Sequence, residues 1–197
     1  MNIAVFSSHG GSGLQAIIDA CESGHLNAKV CAVISNNSGS FALQRARNSN
    51  IAAYHFSSKT IKDADELQLA IMETLQKHDA KVIFLAGYLK KLDQMVLKAY
   101  EGHIYNIHPS LLPKYGGKGM YGIHVHTAVL AANEKETGIT IHRVNSEYDS
   151  GEIIAQRKVP VHEGDTPEIL AARVLKQEHI FIVETLAAIL NNEHNPD

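Results

Sequence analysis

What this chain has little of narrows the field before any motif is read. It has two cysteines, Cys21 and Cys31, which make neither a C-x-x-C pair nor a disulfide framework, so a reducing, cytoplasmic setting is expected. No cluster of lysine and arginine and no aromatic-plus-basic run occurs. With 18 basic against 21 acidic residues the net charge is -3, which argues against a nucleic-acid surface. No apolar run approaches the roughly 20 residues that a membrane span requires. The opening Met1–Phe6 is strand-like rather than a basic region before an apolar core, so no secretory leader is expected. Repeats, low-complexity segments and domain-separating linkers are absent. Twelve histidines are many. His124 and His126 have the i, i+2 spacing a strand could offer to a metal, but no carboxylate or thiol completes a set nearby, and no metal is expected. What remains is 197 residues of 45% hydrophobic and 20% charged composition, enough for one soluble domain with a substantial core.

The order of elements predicts an α/β domain, Rossmann-like, with a mostly parallel sheet flanked by helices. Ile3–Phe6 reads as a buried strand. It is followed by Ser7-Ser8-His9-Gly10-Gly11-Ser12-Gly13 and an amphipathic helix from Leu14 to about Cys21. A glycine-rich turn feeding a helix N-terminus offers backbone N–H groups and a positive dipole end to an anion. This turn is neither G-x-G-x-x-G nor G-K-[ST], so a small phosphate monoester fits it better than a dinucleotide or ATP; a tight turn with no ligand is the other reading. Strands follow at Lys29–Ile34 and Ile51–Phe56, with a helix from about Phe41 to Arg47 between them. Asp63–His78 carries Leu67, Ile71, Met72 and Leu75 at helical spacing. Val82–Leu85 is the continuous apolar run of a central parallel strand, and Leu85, Leu89 and Leu92 could line a pocket at its end or simply be core. A short helix from Asp93 to Tyr100 leads to the next strand, giving four or five parallel strands in all. A helix over Ile123–Ala132, strands over Gly138–Val144 and Ile153–Val161, and a last helix from Pro167 to about Asn191, capped by Thr166, complete the chain.

The most informative stretch is Asn106-Ile-His-Pro-Ser-Leu-Leu-Pro-Lys-Tyr-Gly-Gly117. Side chains alternate along a strand, so Asn106 and His108 face the same way, and Pro109 biases His108 away from helix. An amide and an imidazole side by side at a strand end can handle a carbonyl oxygen; they can also merely satisfy a turn. Asp149 sits in the turn between the last two strands, where one reading is that it merely caps its own loop. In the last helix Leu170, Val174, Glu178, Ile182, Leu186 and Leu190 recur every four residues, so Glu178 interrupts an apolar stripe. A carboxylate there is costly unless it is paired, binds something, or drifts to the boundary.

Taken in order, the glycine loop with LQAII, the strand into LAGYL, NIHPSLLPKYGG, ETGITIHRV, EYDSGEIIAQRKVPV and ARVLKQEH resemble the folate-dependent formyltransferase family over nearly the whole chain. The resemblance implies transfer of the formyl group of 10-formyl-tetrahydrofolate to the amine of glycinamide ribonucleotide, without a metal, by a cytoplasmic monomer or homodimer. It also implies one formyltransferase domain over 1–197, with a phosphate-binding half (1–100) and a catalytic, folate-binding half (101–197). By the same resemblance Asn106, His108 and Asp149 match the catalytic trio. Gly11, Ser12 and Gly13 match the phosphate loop, and Glu178 the carboxylate on the substrate ribose. Leu85, Leu89, Leu92, His142 and Asn145 match the folate pocket, and Asp149 is expected to hold His108 in its charged form. Three departures stand out. Gly13 occupies a position where Asn is usual. A basic residue often found in the helix before the apolar strand has no clear counterpart; Ala64 sits near its position, with Lys59 and Lys62 as possible substitutes. The segment GGKGMYGIHVH is longer than in the shortest family versions. A formyltetrahydrofolate deformylase, an amino-sugar formyltransferase and a non-catalytic binding paralogue share parts of the pattern. The first two are expected to carry an added N-terminal module or a C-terminal extension.

Overall fold

A computed structural model of the chain describes residues 1–194. Seven strands form one sheet in the order β3-β2-β1-β4-β5-β6-β7. They are β1 (Asn2–Phe6), β2 (Lys29–Ser35), β3 (Ala52–His55), β4 (Val82–Leu85), β5 (Ile104–His108), β6 (Glu136–Arg143) and β7 (Ile153–Pro160). The first five are mutually parallel, and β6 and β7 run antiparallel to their neighbours β5 and β6. The helices are α1 (Ser12–Glu22), α2 (Phe41–Asn48), α3 (Ala64–Lys77), α4 (Gln94–Ala99), α5 (Ile123–Ala131) and α6 (Pro167–His194).

The central strands β1, β2 and β4 are buried on both faces because they are almost wholly apolar. In β1, Ile3 and Val5 pack into a core shared with α1, α2, α5 and α6, while Ala4 and Phe6 pack with Ile71, Leu75 and Val96 of α3 and α4. This two-sided burial is what continuous apolar strands, rather than alternating ones, require. The 28-residue α6 lies across α1 and α5, with Leu170, Val174, Ile182, Leu186 and Leu190 all buried. Thr166 begins that helix as expected, its Oγ1 accepting the Ile169 amide. No helix among the described residues is long and apolar enough to cross a membrane.

Strand order reverses between β1 and β4, where successive crossovers leave the sheet in opposite directions. A crevice opens at such a point, beyond the C-terminal ends of the strands. The cavity found here has Ser7 after β1, Ala86 after β4 and Asn106–Pro109 at the end of β5 on its walls.

Candidate active site

Asn106 and His108 project from the same face of β5 into a cavity of about 690 Å³, and Asp149 joins them there. The antiparallel register sets Asn106 opposite His142 on β6. The loop after β6 then folds back so that Asp149, in a left-handed conformation at φ 52°, reaches the end of β5. Gly151 makes this return possible: a Cβ there would collide with the Arg143 carbonyl. Asp149 does not cap its own loop. That role falls to Asn145, whose Oδ1 accepts from the Glu147 amide and the Ser150 hydroxyl.

The hydrogen bonds define the tautomers. His142 Nδ1 lies 2.8 Å from the Arg143 carbonyl, which only accepts, so Nδ1 carries the proton and Nε2 presents a lone pair. Asn106 Nδ2 donates to that Nε2 at 3.0 Å and, more weakly, to Asp149 Oδ1 at 3.4 Å. Asp149 Oδ2 accepts the Gly117 amide at 2.9 Å and stands 3.6 Å from His108 Nδ1. His108 Nε2 donates to the Tyr115 carbonyl at 2.7 Å. The imidazole is thus held between two acceptors in a site only 4% exposed.

Burial decides its resting charge. Desolvation pushes the His108 pKa below its ordinary value, outweighing Asp149 and the Tyr115 carbonyl, which favour the cation. The expectation that Asp149 keeps His108 charged is therefore not met in the unliganded chain. Burial works against ionised Asp149, yet its surroundings, with the Gly117 amide donating to Oδ2, bring its pKa below the usual carboxylate value. The resting pair is a neutral imidazole beside a carboxylate.

The same cavity is lined by Gly10–Gly13 from the start of α1 and by Glu178 from α6, so the phosphate-loop and ribose candidates share one space with the trio. Gly11, at φ 65°, caps α1, and a Cβ on it would collide with Ala42. At Gly13 a Cβ would stand 3.0 Å from Ile182 Cδ1, so a larger residue there requires that α6 methyl to shift slightly. Among the described residues Glu178 has no charged partner, and burial alone raises its pKa from 4.5 to about 7.

The folate candidates divide. Leu89 lines the cavity beside Tyr88, with Tyr148, Met120 and Tyr121 also on its walls. Leu85 and Leu92 do not line it; they lie in the core with Phe6 and Val96. Nor do His142, hidden behind Asn106 as its hydrogen-bond partner, and Asn145, engaged in its own turn. His124 and His126 lie on α5 rather than on a strand, which turns i and i+2 away from one another. His126 is buried in the cavity wall with its Nδ1 unpartnered. Composition and spacing gave no sign of the Tyr115 carbonyl and Gly117 amide, because backbone groups leave no residue signature. No group of three or more His, Cys, Asp or Glu among the described residues is arranged to hold a metal ion.

A Rossmann-like sheet with an amide–imidazole–carboxylate trio and a glycine loop on one cavity is the architecture of a group-transfer enzyme. The chain belongs to the formyl transferase family, whose model matches residues 1–186. It is 43% identical over 187 residues to the chloroplastic phosphoribosylglycinamide formyltransferase of Vigna unguiculata, a match covering 95% of this chain and 60% of that protein. Against the phosphoribosylglycinamide formyltransferase of Escherichia coli identity is 38%, over 91% of this chain and 82% of the relative. Among solved structures, glycinamide ribonucleotide transformylase 1 from Symbiobacterium toebii superposes with a TM-score of 0.90 at 34% identity, covering 98% of this chain and 88% of that one.

Proposed function

We propose that this chain transfers the formyl group of 10-formyl-tetrahydrofolate to the primary amine of glycinamide ribonucleotide. The observation that carries the reading is the shared cavity. It is lined by Asn106, His108 and Asp149 together with backbone amides and a carboxylate that have no partner among the described residues, in a chain whose relatives bear that activity in their names. The amides at the start of α1 suit a phosphate, and Glu178 suits ribose hydroxyls, which would relieve the cost of burying it alone. A folate ring system fits the wall of Tyr88, Leu89, Met120 and Tyr148, and about 690 Å³ lies within the usual range for small-molecule sites. The bound folate supplies an activated formyl carbon.

The chain's own residues then have three tasks. Neutral His108 takes the proton shed by the attacking amine on Nδ1, and the Asp149 carboxylate near Nδ1 and the Tyr115 carbonyl at Nε2 stabilise the resulting cation. The cation and the Asn106 amide stabilise negative charge developing on the formyl oxygen, an interaction worth about 2.7–4 kcal/mol per well-placed donor. For this Asn106 gives up its 3.4 Å hydrogen bond to Asp149, the weaker of its two, and keeps the one to His142 that orients it. The new carbon–nitrogen bond forms, the bond to the folate nitrogen breaks, and the proton passes to that nitrogen by way of His108. The two free thiols, Cys21 and Cys31, suit a reducing cytoplasm.

The test is formyl transfer by the purified chain from 10-formyl-tetrahydrofolate with glycinamide ribonucleotide, with water alone, and with an amino-sugar nucleotide. Turnover should require glycinamide ribonucleotide. Folate turnover without it identifies a deformylase instead, and no turnover with any acceptor refutes catalysis.

A further inference from the structure

The glycine loop is held from behind. The His9 carbonyl accepts from the Ser40 hydroxyl at 2.8 Å and from the Ala42 amide at 3.1 Å. The next carbonyl, that of Gly10, accepts from Arg45 Nε at 2.8 Å. Arg45 is itself steadied by Gln15 of α1, whose Oε1 accepts from Nη1 at 3.1 Å. Both carbonyls are therefore captured by α2 and its cap. A trans peptide points its N–H opposite to its C=O. Turning the His9 and Gly10 carbonyls toward α2 turns the Gly10 and Gly11 amides away from it, to the side where both glycines line the cavity. Among the described residues no atom accepts from the amides of Gly10, Gly11, Ser12 or Gly13. Four consecutive donors are left for a ligand.

We propose that Arg45 is a positioning residue for the acceptor's phosphate: it touches no substrate atom, and acts by holding the Gly10–Gly11 peptide with its N–H toward the cavity. Ser40 does the same for the preceding peptide. The inference rests on the phosphate reading of this loop and names the device that makes the loop work. Arg45 is absent from the cavity lining, so its effect on the phosphate passes through the backbone and not through contact. Its fork of donors spans a carbonyl and a side-chain amide at once, which a lysine cannot do.

The experiment compares Arg45→Met and Arg45→Lys with the wild type in formyl transfer, and measures inhibition by inorganic phosphate. Loss of a charge-assisted hydrogen bond should raise KM for glycinamide ribonucleotide by roughly tenfold or more in Arg45→Met. The inhibition constant of inorganic phosphate should rise in parallel, while kcat and the KM for folate stay within about twofold. Arg45→Lys, which keeps the charge and is the milder change should Arg45→Met fail to fold, should lie between. An unchanged acceptor KM, or an equal fall in kcat, overturns the proposal. Full recovery in Arg45→Lys does so too, since charge alone would then account for the effect. If the wild type turns over glycinamide ribonucleotide normally but phosphate does not compete with it, the phosphate reading of the loop falls and takes this inference with it.

Discussion

Replacing Glu178 by Gln should stabilise the protein and impair it at the same time. The carboxyl sits in an otherwise apolar stripe of α6, lining the cavity without a charged partner among the described residues, and burial raises its pKa from 4.5 to about 7. Below pH 4.5 it is protonated in both folded and unfolded chains and has no net effect. Between pH 4.5 and 7 the unfolded chain ionises while the folded one stays neutral, so stability falls as pH rises, and above 7 the loss is complete. At about 1.4 kcal/mol per pH unit, this interval corresponds to roughly 3 kcal/mol. Gln cannot ionise and has nearly the same shape. Glu178→Gln should match the wild type near pH 4.5 and exceed it by up to about 3 kcal/mol at pH 8, on the order of 5–10 °C in Tm. In formyl transfer at pH 8 the variant should show a KM for glycinamide ribonucleotide raised roughly tenfold or more, with the folate KM unchanged, because hydrogen bonds to a charged group are lost. Urea unfolding at pH 4.5, 6 and 8 together with two-substrate kinetics checks both halves. Parallel stability–pH curves for variant and wild type would refute the burial argument, and equal effects on both substrates would refute the ribose assignment.

Further consequences follow from the trio and the turn that carries its carboxylate. His108→Ala and Asp149→Asn should each lower kcat by about 10²–10³-fold while circular dichroism stays native; near-normal turnover in either sinks the mechanism. With His108 held below its ordinary pKa by burial, wild-type kcat/KM should stay level down to pH 6.5 and fall only at lower pH, where the imidazole gains its proton in the free enzyme. A fall beginning well above pH 6.5 contradicts the neutral resting state. Gly151→Ala drives a methyl group into the Arg143 carbonyl two residues from Asp149. It should cost about 1–3 kcal/mol in urea unfolding and reduce kcat; a variant unchanged in both shows that the turn adjusts freely.

Much of the site is readable in one dimension because its signals are local. Alternation along β5 puts Asn106 and His108 on one face, four-residue spacing puts Glu178 on the inner stripe of α6, and the glycines before α1 mark an anion-sized turn. Each is a consequence of backbone geometry within one element. The folate wall illustrates the limit of such signals. Leu85, Leu89 and Leu92 are alike in sequence, yet only Leu89 lines the cavity, because the packing of α3 and α4 draws the other two into the core.

The sequence alone thus determined the order of strands and helices, the family resemblance, and which residue types gather at the ends of the strands. Tertiary structure decided how they meet. The antiparallel return of β6 brings His142 against Asn106 and orients its amide, since register between distant strands depends on partners that no local pattern names. Burial decides that His108 rests neutral beside Asp149, because desolvation is a property of the assembled site. The carbonyls of His9 and Gly10 face α2 because Ser40 and Arg45, some thirty residues away, capture them. That contact turns a glycine-rich loop into a set of aimed donors, and it exists only once α2 packs beside α1.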